Sequence, residues 1–290
     1  MHFWKAAAYA WVGVMPMICT MEPLMKILPP SFRPCLMGED LRELRLRLGQ
    51  KPERITASGP SFSGPCVTCE DLAHIINGAS RYSPWQAETI NKGYLTISGG
   101  HRIGLCGPVV VSAGEVRGIR KPESVCIRIA RDLRGIAGSC ADVNGSALII
   151  GPPGWGKTTL LRDLARCVSE CRTTVVLDER GELFPEGFLR GKRMDVLSLC
   201  SKAAGLDMAL RTMGPEVIAV DEITAREDCE ALIHAANCGV TLLATAHAAS
   251  VEDLMRRKIY RELLEQNIFQ TVLVLGKDKS WEAERMDLCS

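Results

Sequence analysis

The sequence has almost no net charge: 35 Lys and Arg stand against 34 Asp and Glu, a formal +1 over 290 residues. The whole-chain balance therefore carries no signature of a dedicated nucleic-acid binder. It also lacks an apolar run of the about 20 residues that a membrane helix needs. The longest candidate, Ala6 to Thr20, is short and is interrupted by Pro16. No internal repeat or low-complexity tract stands out, which excludes collagen-like and disordered chains. Paired metal-ligand spacing is missing as well, because Cys66-x-x-Cys69 is followed by no second Cys or His pair at zinc-finger distance. The 13 cysteines are scattered and odd in number. That argues against a secreted disulfide framework and for small apolar residues in a reducing compartment.

What is present is a globular composition, 47 % hydrophobic and 24 % charged, long enough for about two domains. The near-zero charge hides an asymmetry. Residues 1–144 carry 17 basic and 12 acidic side chains, a net +5, and residues 145–290 carry 18 and 22, a net −4. Such halves suit either a polyanion site or complementary surfaces that meet in an oligomer. Residues 1–20 are read as an extension outside the fold, with Met21-Glu-Pro-Leu24 as an alternative start. A membrane-contacting segment and a cleaved signal ending near Cys19 are the competing readings.

Residues 21–136 are expected to form a small α+β domain. Thr68-Cys-Glu-Asp71 opens a helix in capping-box fashion, with Leu72, Ile75 and Ile76 on one face. Tyr94–Ser98, Arg102–Leu105, Val109–Val111 and Val125–Ile129 read as strands between Gly-rich turns. Residues 137–145 form a connector. In residues 146–290, apolar strands at Ala147–Ile150, Thr174–Leu177, Val217–Val220 and Val240–Ala244 alternate with helices at about Lys157–Ser169, Ala203–Thr212 and Arg226–Asn237. This pattern implies an α/β domain with a parallel sheet covered on both faces.

Gly151-Pro152-Pro153-Gly154-Trp155-Gly156-Lys157-Thr158 matches G-x-x-x-x-G-K-[ST], with a strand before it and a helix beginning Thr159-Leu-Leu after it. Glycines let backbone N–H groups turn onto phosphates, and the helix N-terminus favours negative charge. Lys157 is expected on the β- and γ-phosphates of ATP, and the Thr158 hydroxyl on Mg²⁺. Trp155 is bulky for such a loop and is expected on an outer surface or a subunit contact. Val217–Val220 ends in Asp221 and Glu222. Asp221 fits the Mg²⁺-holding position and Glu222 a general base for water.

From Asp221 to His247 the chain resembles the Walker B to histidine-box segment of type II secretion and type IV pilus ATPases. Glu227, Gly239, Thr245 and His247 fall at matching offsets. The resemblance implies that Thr245 and His247 sense the γ-phosphate; His234 lacks motif support and reads as structural. Leu177-Asp178-Glu179-Arg180-Gly-Glu182 resembles the same motors' aspartate box, in which Glu179 or Glu182 would orient water or bind the metal's hydration shell. Leu210-Arg211-Thr-Met-Gly-Pro215 resembles the segment before Walker B, placing Arg211 near the site or a subunit seam.

Leu44–Gly49, Gly93–Gly107 and Ile127–Arg131, together with the phosphate loop, resemble one family, the stage III sporulation protein AA type of secretion ATPase, from about Met21 to the end. The resemblance implies a RecA-like core and a ring of subunits, expected as a homohexamer, in the mother-cell cytoplasm. It would act with membrane proteins of the same operon on a channel to the forespore. Arg102, Arg128 and Arg131 would reach a neighbour's phosphates, where guanidinium suits developing charge. Nucleic acid is not expected as a partner. A nucleic-acid-binding ATPase and a non-catalytic ATP switch are the alternatives.

Overall fold

The computed structural model describes residues 5–9, 16–18, 21–38, 41–80, 93–112, 115–138 and 145–286. Cys19 and most of the expected connector, 139–144, lie outside them. Backbone contacts divide the chain into two units, Met17–Asp132 with Pro185–Phe188, and Met1–Pro16 with Leu133–Phe184 and Leu189–Ser290. The boundary expected after residue 136 thus compares with one between Asp132 and Leu133. The first two strands are β1 (Lys5–Tyr9) and β2 (Pro16–Ile18). The stretch read as an extension outside the fold is therefore placed differently, for β1 belongs to the larger unit's sheet.

The smaller unit starts with α1 (Glu22–Ile27) and a 3₁₀ turn over Pro30–Leu36. β3 (Glu43–Arg47), β4 (Glu53–Thr56) and β5 (Gly59–Phe62) follow, then α2 (Cys69–Ser80). The capping box that opens α2 is reciprocal: Thr68 N donates to Asp71 Oδ2 at 2.9 Å and Asp71 N to Thr68 Oγ1 at 3.2 Å. Next come β6 (Tyr94–Thr96), β7 (Arg102–Cys106), β8 (Val109–Ser112), β9 (Glu115–Ile119), β10 (Ser124–Arg128) and β11 (Arg131–Leu133). Six strands form an antiparallel sheet in the order β5-β4-β3-β10-β7-β6, while β8 and β9 form a two-stranded ribbon. Strict alternation does the sorting. Leu44, Leu46, Ile103, Val125 and Ile127 pack against Leu24, Ile27, Phe32, Leu72 and Ile75 of the helical layer. The intervening Glu43, Arg45 and Arg47 stand on the other face.

The larger unit runs β12 (Ala147–Ile150), α3 (Lys157–Val168), β13 (Thr174–Asp178), β14 (Met194–Ser198) and α4 (Lys202–Thr212). It continues with β15 (Val217–Val220), α5 (Arg226–Asn237), β16 (Thr241–Ala246), α6 (Val251–Arg256), α7 (Lys258–Glu265), β17 (Thr271–Leu275) and β18 (Trp281–Arg285). All seven elements expected between residues 147 and 244 are there, with ends shifted by at most two residues. The sheet order is β1-β18-β17-β12-β16-β15-β13-β14. The run from β17 to β14 is parallel, and β18 and β1 add antiparallel strands at one edge. β12, β13 and β15 are buried at every residue, as strands covered on both faces must be. The loops after β12, β13, β15 and β16 therefore emerge together at the carboxyl edge, where α/β sheets hold their ligands.

Candidate active site

The phosphate loop joins β12 to α3. Gly154 and Gly156 adopt φ of 76° and 105°. A Cβ resists that left-handed region, so these two glycines are what let the loop curl its N–H groups inward. Trp155 is half-buried in the loop. Lys157, the first residue of α3, is buried, and desolvation pushes its ammonium below the ordinary lysine value against the pull of Glu222 and Asp221. Its Nζ donates to the Pro152 carbonyl at 3.2 Å and lies 2.9 Å from His247 Nδ1.

An ammonium can only donate, so His247 Nδ1 is the acceptor and a neutral ring carries its proton on Nε2. That Nε2 lies 2.9 Å from Glu222 Oε1. Lysine, imidazole and carboxylate thus form one line across three loops. Glu222 has φ of 36°, an uncommon conformation for a residue with a Cβ and typical of strained functional positions. Its backbone N–H donates to Thr245 Oγ1 at 2.8 Å, which holds the strained turn.

Asp221 sits beside this line. Its carboxylate accepts from Thr245 Oγ1 at 2.9 Å and lies 3.3 Å from Thr158 Oγ1 through both oxygens. Burial pushes the Asp221 carboxyl above its ordinary value, with the two hydroxyls partly offsetting the rise. A desolvated carboxylate that accepts from two hydroxyls is favoured by added positive charge. With the Thr158 hydroxyl it makes a hard-oxygen donor set of the kind Mg²⁺ prefers, completed by substrate phosphate and water, so the residues fit that ion.

In the turn after β13, Glu179 pairs at 2.5 Å with Lys202, a buried lysine that also lies 3.6 Å from Asp228. The side chain of that turn which approaches Glu222 is Arg180, Nη1 to Oε2 at 3.9 Å. Asp178 anchors the turn, its carboxylate accepting the backbone N–H groups of Glu182, Leu183 and Phe184 at 2.8, 3.0 and 2.9 Å. Tyr260 was also missed: its hydroxyl donates to the Ile223 carbonyl at 3.0 Å, behind Glu222. So was Lys279, which donates to the Gly154 carbonyl of the phosphate loop at 2.6 Å. Arg180 lay inside a segment already singled out, whereas nothing in the residue types around Tyr260 or Lys279 marks either one.

The three arginines of the smaller unit separate. Arg102 and Arg128 are directly opposed across β7 and β10, on the outward face of the sheet. Arg102 stacks over the Tyr94 ring at 4.2 Å, and exposed Arg128 lies 3.6 Å from Glu43. Like charges opposed in this way repel unless an anion lies between them. Arg131 is not on that face; it is half-buried and its Nη2 donates to the Leu41 carbonyl at 3.1 Å. Arg211 is exposed and pairs with Asp207 one turn back at 2.9 Å, Glu227 and His234 are exposed on α5, and Cys66 and Cys69 are exposed at the start of α2.

A family model described as Sporulation stage III, protein AA matches residues 23–284. Stage III sporulation protein AA of Bacillus subtilis (strain 168) is 39 % identical over 284 residues, covering 89 % of this chain and 92 % of that protein. Among solved structures, the Legionella pneumophila ATPase DotB is similar with a TM-score of 0.55 at 18 % identity, over 90 % of this chain and 83 % of that one. The pilus retraction motor PilT with bound ADP is similar with a TM-score of 0.57 at 16 % identity, over 81 % of this chain and 74 % of that one. At these identities the structures speak for the fold: the larger unit is RecA-like, as in secretion ATPases, and a β-rich unit precedes it. Among the described residues no helix is long and apolar enough to cross a membrane.

Proposed function

The chain belongs to the sporulation stage III, protein AA family, and from that premise we propose that it binds ATP at the phosphate loop and hydrolyses it as a subunit of a ring. The observation that carries this reading is the Lys157–His247–Glu222 line beside the Thr158–Asp221–Thr245 cluster. The loop's N–H groups and Lys157 take the phosphate oxygens. Thr158 and Asp221 would hold a Mg²⁺ ion, which supplies charge neutralisation to the phosphates when bound. His247 carries its Nε2 proton towards Glu222, and the strained turn aims the Glu222 carboxylate at the position of an attacking water. Glu222 takes that water's proton as its oxygen bonds to the γ-phosphorus, and ADP leaves with the electrons of the broken P–O bond.

Arg102 and Arg128 are the cations offered to a neighbouring copy's phosphates, because they stand side by side across β7 and β10 on the outward face of the sheet. Arg131, held by a backbone carbonyl, is the weakest of the three for that role, and Glu179, held by Lys202, is not needed for water activation. The ring is a homohexamer in the mother-cell cytoplasm, working with membrane proteins of the same operon on a channel to the forespore. Phosphate release by the full chain with Mg²⁺ and ATP tests this. Turnover per subunit should rise with protein concentration, and Glu222→Gln should lower it roughly 10³-fold while ATP binding persists. Turnover flat across the assembly range would remove the neighbour's arginines. Full biological function with abolished hydrolysis would favour an ATP-binding switch instead.

A further inference from the structure

The geometry points to Arg180 as a catalytic residue acting in its own subunit: it moves from Glu222 onto the γ-phosphate when ATP binds, and so releases the base at the moment water must be attacked. This rests on the ATPase reading above. Four observations carry it.

First, the parallel pairing of Leu177 with Val220 places the turn after β13 beside the turn after β15, which brings Arg180 to Glu222 across 3.9 Å. Second, the backbone under Arg180 is fixed. Three N–H groups converge on the buried Asp178 carboxylate, Gly181 N donates to the Asp178 carbonyl at 3.2 Å, and Arg162 holds the carbonyls of Glu182 and Leu183. Third, the side chain itself is 67 % exposed, and a pair of that length and exposure contributes little to stability. The guanidinium is therefore presented by a rigid turn yet weakly held, as a group that must change partners should be. Fourth, the other cations here are committed. Lys202 is buried between Glu179 and Asp228, Lys279 holds the loop carbonyl of Gly154, and Lys157 belongs to the phosphates from within the loop.

In the resting chain, Glu222 has His247 on one oxygen and Arg180 near the other. With both oxygens faced in this way, the carboxylate has less room to receive an attacking water. A triphosphate offers Lys157 and Arg180 a more highly charged acceptor, and a planar guanidinium suits phosphate oxygens. Once Arg180 has turned, Glu222 Oε2 is free for the water proton, and the same guanidinium meets the charge that builds on the γ-phosphoryl oxygens as the bond to ADP breaks.

Arg180→Ala and Arg180→Lys, made in the full chain and again in a Glu222→Gln background, test this. We expect Arg180→Ala to lower turnover on the order of 10²–10³-fold. It should weaken a non-hydrolysed ATP analogue roughly tenfold, leave ADP affinity unchanged, and weaken the analogue equally in the Glu222→Gln background, because the contact is to phosphate. Arg180→Lys should recover part of the analogue affinity. Unchanged ADP affinity reports an intact fold. Turnover within threefold of the parent, or an analogue effect that vanishes with Glu222→Gln, would overturn the proposal while leaving the ATPase reading intact. Absent hydrolysis and absent ATP binding in the parent chain would overturn both.

Discussion

At the carboxyl edge of the larger unit's sheet, charged side chains are desolvated and held within hydrogen-bond distance, as Lys157, Asp221 and Asp178 are. On the outward face of the smaller unit's sheet, exposed Arg128 and half-buried Glu43, Arg45 and Arg102 lean on one another or on a ring. In the first arrangement burial disfavours the charge of Lys157 and Asp221, a cost that a bound ligand offsets, whereas Asp178 is compensated within the chain by three backbone N–H groups. The second is nearly neutral for the isolated subunit. A charge set can thus be functional because it is strained at home, or because it awaits an outside anion, and different measurements reveal the two.

The largest expected effect is on stability, at Asp178. Asp178→Ala leaves three N–H groups, two of them buried, without their acceptor and should cost about 3 kcal/mol in urea unfolding. A loss below about 1 kcal/mol would mean that the turn is not anchored as described. Next comes the outward pair. Arg102→Ala with Arg128→Ala should lower turnover at least about tenfold in the assembled state, with subunit melting little changed, because Arg128 is exposed and Arg102 keeps only a surface ring contact. A large fall in melting temperature would collapse the contrast between the two regions.

Asp221 gives a smaller effect of opposite sign. Its carboxyl is raised in the folded chain, so its contribution is favourable below the ordinary aspartate value of 3.8 and is lost as pH rises through the raised one. At pH 7 without Mg²⁺ the charge is a burden. Asp221→Asn should then raise the melting temperature by about 2–4 °C at pH 7, a gain that shrinks on acidification. A fall at pH 7 would show that the hydroxyls compensate fully. Smallest is Arg45→Ala, which removes the 2.8 Å pair with Glu43 on the solvent face and should cost under about 1 kcal/mol by urea unfolding.

What could be read beforehand follows from where the physics is local. The phosphate loop is legible because its backbone demands glycine at Gly154 and Gly156, and the buried strands because they are apolar at every residue. β17 is apolar after Thr271, but it lies beyond the last motif, where no pattern singles it out. The partners of Glu179 were not legible. Which of two neighbouring side chains in a turn meets Glu222, and which meets Lys202, is decided by the register of β13 on β15 and by a helix start 23 residues on. The pairing of Arg102 with Arg128 likewise depends on the β7–β10 register. Local chemistry writes itself into residue types; adjacency across strands does not.

β1 covers the outer edge of β18, with Lys5, Ala6 and Tyr9 opposite Glu284, Ala283 and Trp281. A chain shortened to begin at Met21 would keep every group of the phosphate site yet bare a row of N–H and C=O groups along β18. Such a row is a template for any extended segment that comes near. With those residues in place the sheet ends at β1, whose register is irregular between Ala6 and Tyr9, a feature that blunts strand addition. Trimming them would move the edge to β18 and leave it open to capture by an added strand.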